Sequence, residues 1–404
     1  MGLGVAYGGR KMLLRLLLPL ISAIVAVGAP SSWTHPGVLI GAEQLAYVKA
    51  HLPEAPFAAA FAKAVAHPLA SHAYKAAGPP ASGIIDCGSY SKPDHGCSAE
   101  DADGSAAYLQ LVLFALTENH AYAATAVAVL DAYAGGLRGY NNSNAPLQAA
   151  WGLSKWARAA ELAVHLPGVG WPAASASAFV ATMRAAALPH VVNCSPSNGN
   201  WHLSMIEALI GFAVHVEDGA LFDRAAGFWR ARVAAYWYNA AADGGAPLKP
   251  PCGAPSWYDQ VVFNASTSGV AQETCRDEGH TSYSVAATSN AAETALLQGV
   301  DLWSPAAERL ATAFDFQARL LLPGVKSPPT LCGGRAVDVG GGANMPTYEV
   351  AYNRLHNALG RDLPNVLSHI TGSVRAPSNS GVDEHMMVFE TLTHGGSTSG
   401  RAAA

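Results

Sequence analysis

Apolar residues recur along most of this chain at helical rather than alternating spacing. Ser105–Leu116 and Ala121–Ala134 are rich in Ala, Leu and Val and are separated by the polar break Glu118-Asn119-His120, the pattern of a helical hairpin. The same spacing predicts helices over Pro146–Leu166, Trp171–Ala187, Asn200–Val216, Ala220–Tyr238, Glu278–Leu297, Pro305–Leu322 and Pro346–Leu359, and a shorter one holding Leu45, Val48 and Leu52. Gly/Pro turns such as Pro167-Gly-Val-Gly and Asp243-Gly-Gly-Ala-Pro stand between them. Residues 76–104, rich in Gly, Pro, Ser and Asp, read as a long loop, and loops of that length are often functional. About a dozen helices in tandem pairs, each too apolar to stand alone, predict an all-α fold. The expected architecture is an (α/α) toroid of roughly six or seven helical hairpins around a central cleft, without a strict sequence repeat.

Composition narrows the class. Half of the 404 residues are hydrophobic, 13% are charged and the net charge is -5, which fits neither a disordered chain nor a nucleic-acid binder with a basic surface. Arg10 and Lys11 precede an apolar run from Leu13 to Val27, followed by the small residues Gly28 and Ala29, the order of a secretory signal peptide. We expect residues 1–29 to be that signal, 30–395 one helical domain and 396–404 a flexible tail. The expected product is a secreted monomer, not held in a membrane once the signal is cleaved. The six cysteines, Cys87, Cys97, Cys194, Cys252, Cys275 and Cys332, suit disulfides in an exported protein, with only the short Cys87–Cys97 loop an easy pairing to assign. Asn141, Asn193 and Asn264 open glycosylation sequons.

Candidate chemistry concentrates in Gln272–Tyr283. On a helix, Glu273, Arg276, His280 and Tyr283 fall within an arc of roughly 80°, putting a carboxylate, a guanidinium, an imidazole and a phenol on one face. The bland alternative is a solvated face with an Arg–carboxylate pair. A second polar group, Ser195–His202, opens the helix running to Val216. There Asn198 and Asn200 can present amides to an anion, while His202 either lines the same cleft or packs in the core. Cys275 beside Arg276 reads as a disulfide partner before a nucleophile. His385 and His394 lack recognisable zinc spacing, and neither a metal nor another cofactor is expected. Trp151, Trp201, Trp257 and Tyr258 are candidates for stacking on sugar rings.

At these residues the sequence resembles the alginate-lyase-like superfamily of polysaccharide lyases. The resemblance runs through His35-Pro-Gly-Val-Leu, Asp103–Tyr108, Leu147–Glu161, Asn198-Gly-Asn-Trp201 with Ala220-Leu-Phe-Asp-Arg, and Glu273…Arg276-Asp-Glu-Gly-His280. It continues in Ala292-Glu-Thr…Gln298-Gly-Val-Asp-Leu302, Met345-Pro-Thr-Tyr-Glu349 and Glu390-Thr-Leu-Thr-His394. It implies a toroid that cleaves an acidic polysaccharide, either mannuronate-rich alginate or glucuronan, by β-elimination. The implied roles are Tyr283 as general acid, and as base too where base and leaving group lie on one face of the sugar, Arg276 with Asn198 or Asn200 as carboxylate neutralisers, and His280 or His202 as assisting base. This chain departs from the related alginate lyases in having no histidine just before Trp201. The competing readings are a non-catalytic carbohydrate-binding protein and a glycoside hydrolase. The hydrolase would need two carboxylates across the cleft, with Glu273 and Glu207 or Asp103 the ones to consider.

Overall fold

The structure, a computed structural model, describes residues 1–2, 28–383 and 385–396. Most of the expected signal segment and most of the expected tail lie outside these residues. The described chain opens with a two-residue ladder, β1 (Gly37–Val38) against β2 (Ile40–Gly41), and a short helical pair, α1 (Ala42–His51) and α2 (Phe57–Ala66). Within the expected loop, β3 (Ile84–Cys87) lies between β4 (Asp94–His95), antiparallel to it, and β5 (Gly139–Asn141), parallel to it. Long hairpins form the body. These are α3 (Cys97–Thr117) with α4 (His120–Tyr133), and α5 (Ala145–His165) with α6 (Ala173–Ala186). After the single turn α7 (Leu188–Val191) come α8 (Gly199–His215) with α9 (Gly219–Tyr236), and after α10 (Ala240–Asp243) come α11 (Glu278–Leu297) with α12 (Trp303–Leu320). The chain finishes through α13 (Glu349–Tyr352), α14 (Pro364–His369) and α15 (Glu390–His394).

Packing runs in a closed circuit. Helix α3 packs on α5, α5 on α8, α8 on α11, α11 on α13, α13 on α15, α15 on α1, and α1 again on α3. This ring is the (α/α) toroid expected from the tandem hairpins. The inner helices α3, α5, α8 and α11 are buried nearly all round. The outer ones bury a stripe; α4 buries Tyr122, Ala126, Val129 and Tyr133 at the spacing of one helical face, and Asn119 caps it by accepting from the Ala121 N–H.

Two elements depart from their expected bounds. Helix α3 begins at Cys97 rather than Ser105 because the polar residues of its first turns are buried and satisfied from elsewhere in the fold. Glu100 accepts from Tyr140, Gln148 and Trp156, and Asp103 from Tyr74 and Tyr133. The helix expected over Pro346–Leu359 is shorter, with α13 running into a π-type turn at Asn353–Ala358. Charges on the inner face of α5 are likewise paired, Lys155 with Asp101 at 2.7 Å and Arg158 with Glu207.

The inner helices run the same way round the ring. Their N-terminal turns meet at one mouth of the toroid. At the other end their C-termini are crossed by residues 34–41, where the Thr34 N–H donates to Gln298, that of Gly37 to Glu161, and that of Leu39 to Thr294. Disulfides join Cys87–Cys97, Cys194–Cys252 and Cys275–Cys332. The three sequon asparagines are exposed. Among the described residues, no helix is long and apolar enough to cross a membrane.

Candidate active site

The first turns of α3, α5, α8 and α11 surround a cleft of about 780 Å³. A helix N-terminus carries unpaired N–H groups and the positive end of the helix dipole, so this mouth favours an anion although the chain as a whole is acidic.

Helix α11 runs over Glu278–Leu297, the bounds its periodicity predicts, and does not extend back to Gln272. Residues 272–276 form turns and the first helical residue is Glu278, so Glu273 and Arg276 do not share a helical face with His280 and Tyr283. Asp277 sets the boundary. Its backbone is extended, and its carboxylate accepts from the His280 N–H at 2.9 Å as the N-cap. The same carboxylate lies 2.6 Å from His280 Nδ1, which leaves Nε2 for the cleft. Burial works against the charge on Asp277, but the hydrogen bonds from the His280 ring and backbone outweigh it and keep its pKa below the usual carboxylate value. Tyr283 lines the cleft less than one turn further on, its ring centroid 6.3 Å from that of His280 and 6.1 Å from that of Trp151.

Arg276 reaches the same cleft from the turn. Its Nη1 donates to Glu273 at 3.0 Å, Nε lies 3.8 Å from Asp277, and the guanidinium sits over the Tyr258 ring. Nη2 has no protein partner among the described residues. Burial opposes the charge on Arg276, but the Glu273 carboxylate outweighs it and raises the pKa.

Glu273 is the hub that fixes this guanidinium. Fully buried, it accepts from Asn198 Nδ2 at 2.6 Å, Asn200 Nδ2 at 2.7 Å, the Asn200 backbone N–H at 3.0 Å and the Tyr236 hydroxyl at 3.2 Å. Gly199 makes the approach possible, because a Cβ there would lie 1.9 Å from the Tyr236 ring.

Several expectations need correction. Asn198 and Asn200 are not among the residues lining the cleft; their amides donate to Glu273, the carboxylate that also accepts from Arg276. His202 is fully buried, accepts from Arg232 Nε at 3.0 Å and packs beside the Cys194–Cys252 disulfide. Burial and the Arg232 charge pull its pKa down to about 3, the state of a neutral core histidine. Trp257 packs on Phe263, and Tyr258 accepts from Asn198 beneath Arg276, so neither lines the cleft, whereas Trp151 and Trp201 do. The carboxylates considered for hydrolysis are committed to internal partners, Glu273 as above, Glu207 to Arg158 and Asn290, and Asp103 to two tyrosines. His394 is buried with its pKa lowered to about 4, chiefly by burial.

One pair in the cleft has no local signature in the sequence. His385 stacks on Trp151 with centroids 3.6 Å apart and lies 5.2 Å from the Tyr283 ring. Its Nδ1 is 3.4 Å from Asp101, which Lys155 holds at 2.7 Å. Burial alone would raise the pKa of Asp101, but Lys155 and His385 bring it below its usual value. Asp101 and His385 are 284 residues apart, and only closure of the ring brings them together.

The toroid and its cleft have counterparts among solved structures. Alginate lyase A1-III from Sphingomonas species A1 superposes with a TM-score of 0.54 at 14% identity, covering 89% of this chain and 95% of that one. The chain has the fold of alginate lyase A1-III. Two variants of that lyase, one with a histidine replaced by alanine and one with a tyrosine replaced by phenylalanine, are each complexed with a tetrasaccharide. Each matches at a TM-score of 0.50 and 16% identity over 70% of this chain and 76% of that one. No protein-family model and no curated protein matches the sequence. Within the shared alginate-lyase fold, Tyr283, His280, Arg276 and His385 face one cleft in this chain.

Proposed function

We propose that the protein is a secreted polysaccharide lyase that cleaves a uronate polymer, alginate rich in mannuronate or glucuronan, by β-elimination. The observation that carries this reading is the convergence of Arg276, His280 and Tyr283 on a cleft ringed by helix N-termini. Alginate-lyase neighbours complexed with an oligosaccharide support a polysaccharide ligand. The apolar leader and three disulfides support export.

The chemistry assigns each group a task. The proton on C5, α to the uronate carboxylate, is too weakly acidic while that carboxylate keeps its full charge. Arg276 Nη2, aided by the helix termini, neutralises it and stabilises the enolate-like transition state, a contribution on the order of 3 kcal/mol per donor. His280, its Nδ1 held by Asp277, takes the C5 proton on Nε2. The electron pair forms the C4=C5 double bond, the C4–O4 bond breaks, and the Tyr283 hydroxyl delivers a proton to O4. Trp201 offers its ring to a neighbouring sugar, whereas a face of Trp151 is taken by His385.

The test is to incubate the full chain with polymannuronate, glucuronan and a neutral glycan while following unsaturated uronate and reducing ends separately. Both signals should rise together, and only with an acidic polymer. Reducing ends without unsaturation would assign a hydrolase, and no product from any polymer would assign a binding protein. His280→Gln should remove activity; if it survives while Tyr283→Phe is inactive, the phenol serves as both base and acid.

A further inference from the structure

Tyr283 has a second imidazole beside it, to which the elimination step gives no task. His385 lines the cleft, and its ring centroid lies 5.2 Å from that of Tyr283 at an angle of 51° between the rings. It is held from three sides. Trp151 covers one face of the ring, 8° from parallel at 3.6 Å. Asp101 Oδ2 lies 3.4 Å from Nδ1. The backbone N–H of His385 donates to Asp383, whose carboxylate also accepts from the N–H groups of Met386 and Met387, and Arg158 donates to the Met386 carbonyl at 2.8 Å.

Behind the ring stands a buried charge pair. Lys155, fully buried on α5, donates to the Asp101 carboxylate at 2.7 Å and to the Asp101 carbonyl at 3.1 Å. Gly104, almost one turn further along α3, makes room for the lysine stem, since a Cβ there would lie 3.1 Å from Lys155 Cβ. An ion pair taken out of water adds little stability over apolar packing of the same volume. What this one fixes is a carboxylate directed at an imidazole. Hydroxyl, imidazole and carboxylate in sequence make a proton-transfer chain, in which the carboxylate orients the ring and offsets the charge it gains while the ring exchanges a proton with the hydroxyl. Tyr283, His385 and Asp101 stand in that order.

Elimination creates the need for such a chain. Once Tyr283 has given its proton to O4 it is a phenolate, while the C5 proton sits on His280 Nε2, and the cycle closes only when the phenol is restored. We propose that, in the lyase cycle described above and resting on it, His385 returns the missing proton to Tyr283. With Nδ1 on Asp101, the protonated ring gives its Nε2 proton to the phenolate oxygen. The N–H bond breaks as the O–H bond forms, the neutral ring takes a proton from solvent, and His280 releases the C5 proton to solvent, so protons and charge balance over the turnover. His385 is thus a catalytic residue of the resetting step, separate from the acid and base of bond cleavage.

The test is steady-state elimination of polymannuronate and glucuronan by the full chain, followed as unsaturated uronate, for the parent, His385→Phe and His385→Ala. Phenylalanine keeps a ring against Trp151 and removes both nitrogens. In His385→Phe, kcat should fall at least about tenfold with KM within about twofold of the parent, since a general acid–base group contributes about 10²–10⁴-fold. Its circular dichroism should match the parent. His385→Ala should lose kcat likewise and regain it severalfold when imidazole is added to the solution. Parental kcat in His385→Phe, or a loss in folded His385→Ala that imidazole does not reverse, confines His385 to packing and overturns the proposal while leaving the lyase standing. No unsaturated uronate from the parent on either polymer overturns the lyase function and the proposal with it.

Discussion

Amide, phenol and guanidinium donors converge on the buried carboxylate of Glu273, and of these groups only Arg276 also faces the cleft. In the proposed lyase, Glu273 is therefore a positioning residue. In Glu273→Gln an amide donor would meet the amides of Asn198 and Asn200, and Arg276 would lose its charge partner. We expect kcat/KM to fall by roughly 100-fold, the scale of one lost transition-state donor, in a protein whose circular dichroism is unchanged. Asn198→Ala, which removes one donor from the hub, should lose less. His202, buried away from the cleft, is expected to act on stability. Its folded pKa of about 3 lies below its usual 6.5. The unfolded chain therefore takes up a proton first as pH falls, and this contribution is complete above 6.5 and is lost progressively toward 3. Melting measured from pH 7 to pH 4 should show Tm falling. His202→Gln, which keeps an acceptor for Arg232 without a titrating ring, should flatten part of that fall. In the sequence, His202 shares a helical face with Ile206, Leu209 and Ala213, which favours the core, while the polar run before it keeps the cleft as the alternative.

At the scale of elements, the turn before α11 is as important as the helix. His280 and Tyr283 are placed by helical spacing and were legible from it. Glu273 and Arg276 share their face only if the helix extends back to Gln272, and Asp277 caps α11 after them. The Cys275–Cys332 disulfide ties that turn to a distant loop, a constraint that periodicity does not show. Replacing both cysteines by serine should cost about 4 kcal/mol of stability, as expected for a loop of 57 residues. It should also raise KM more than it lowers kcat, because the loosened turn carries Arg276. Melting and steady-state kinetics on the double variant check both. The Asp101–His385 pair and the buried polar first turns of α3 escaped the sequence for a related reason, since each residue is satisfied by a partner far away in the chain.

For the whole molecule, tandem apolar helices with polar breaks made the toroid legible, because such helices are stable only when each packs on the next. The ring also explains how a chain of net charge -5 can hold an anion, since it turns the positive ends of four inner helices to one mouth. This attraction is screened by salt, so KM for a polyuronate should rise between about 10 mM and 500 mM ionic strength while kcat changes little. A KM independent of salt would remove the helix termini from substrate binding. The central claim, elimination with Tyr283 as the proton donor to O4, is tested most directly by the absorbance of 4,5-unsaturated uronate during digestion of polymannuronate and glucuronan by the parent protein and by Tyr283→Phe. The expected result is a steady rise with the parent on at least one polymer and a rate lower by about 100-fold or more in a folded Tyr283→Phe. Reducing ends appearing without unsaturation, or parental activity in Tyr283→Phe, would contradict it.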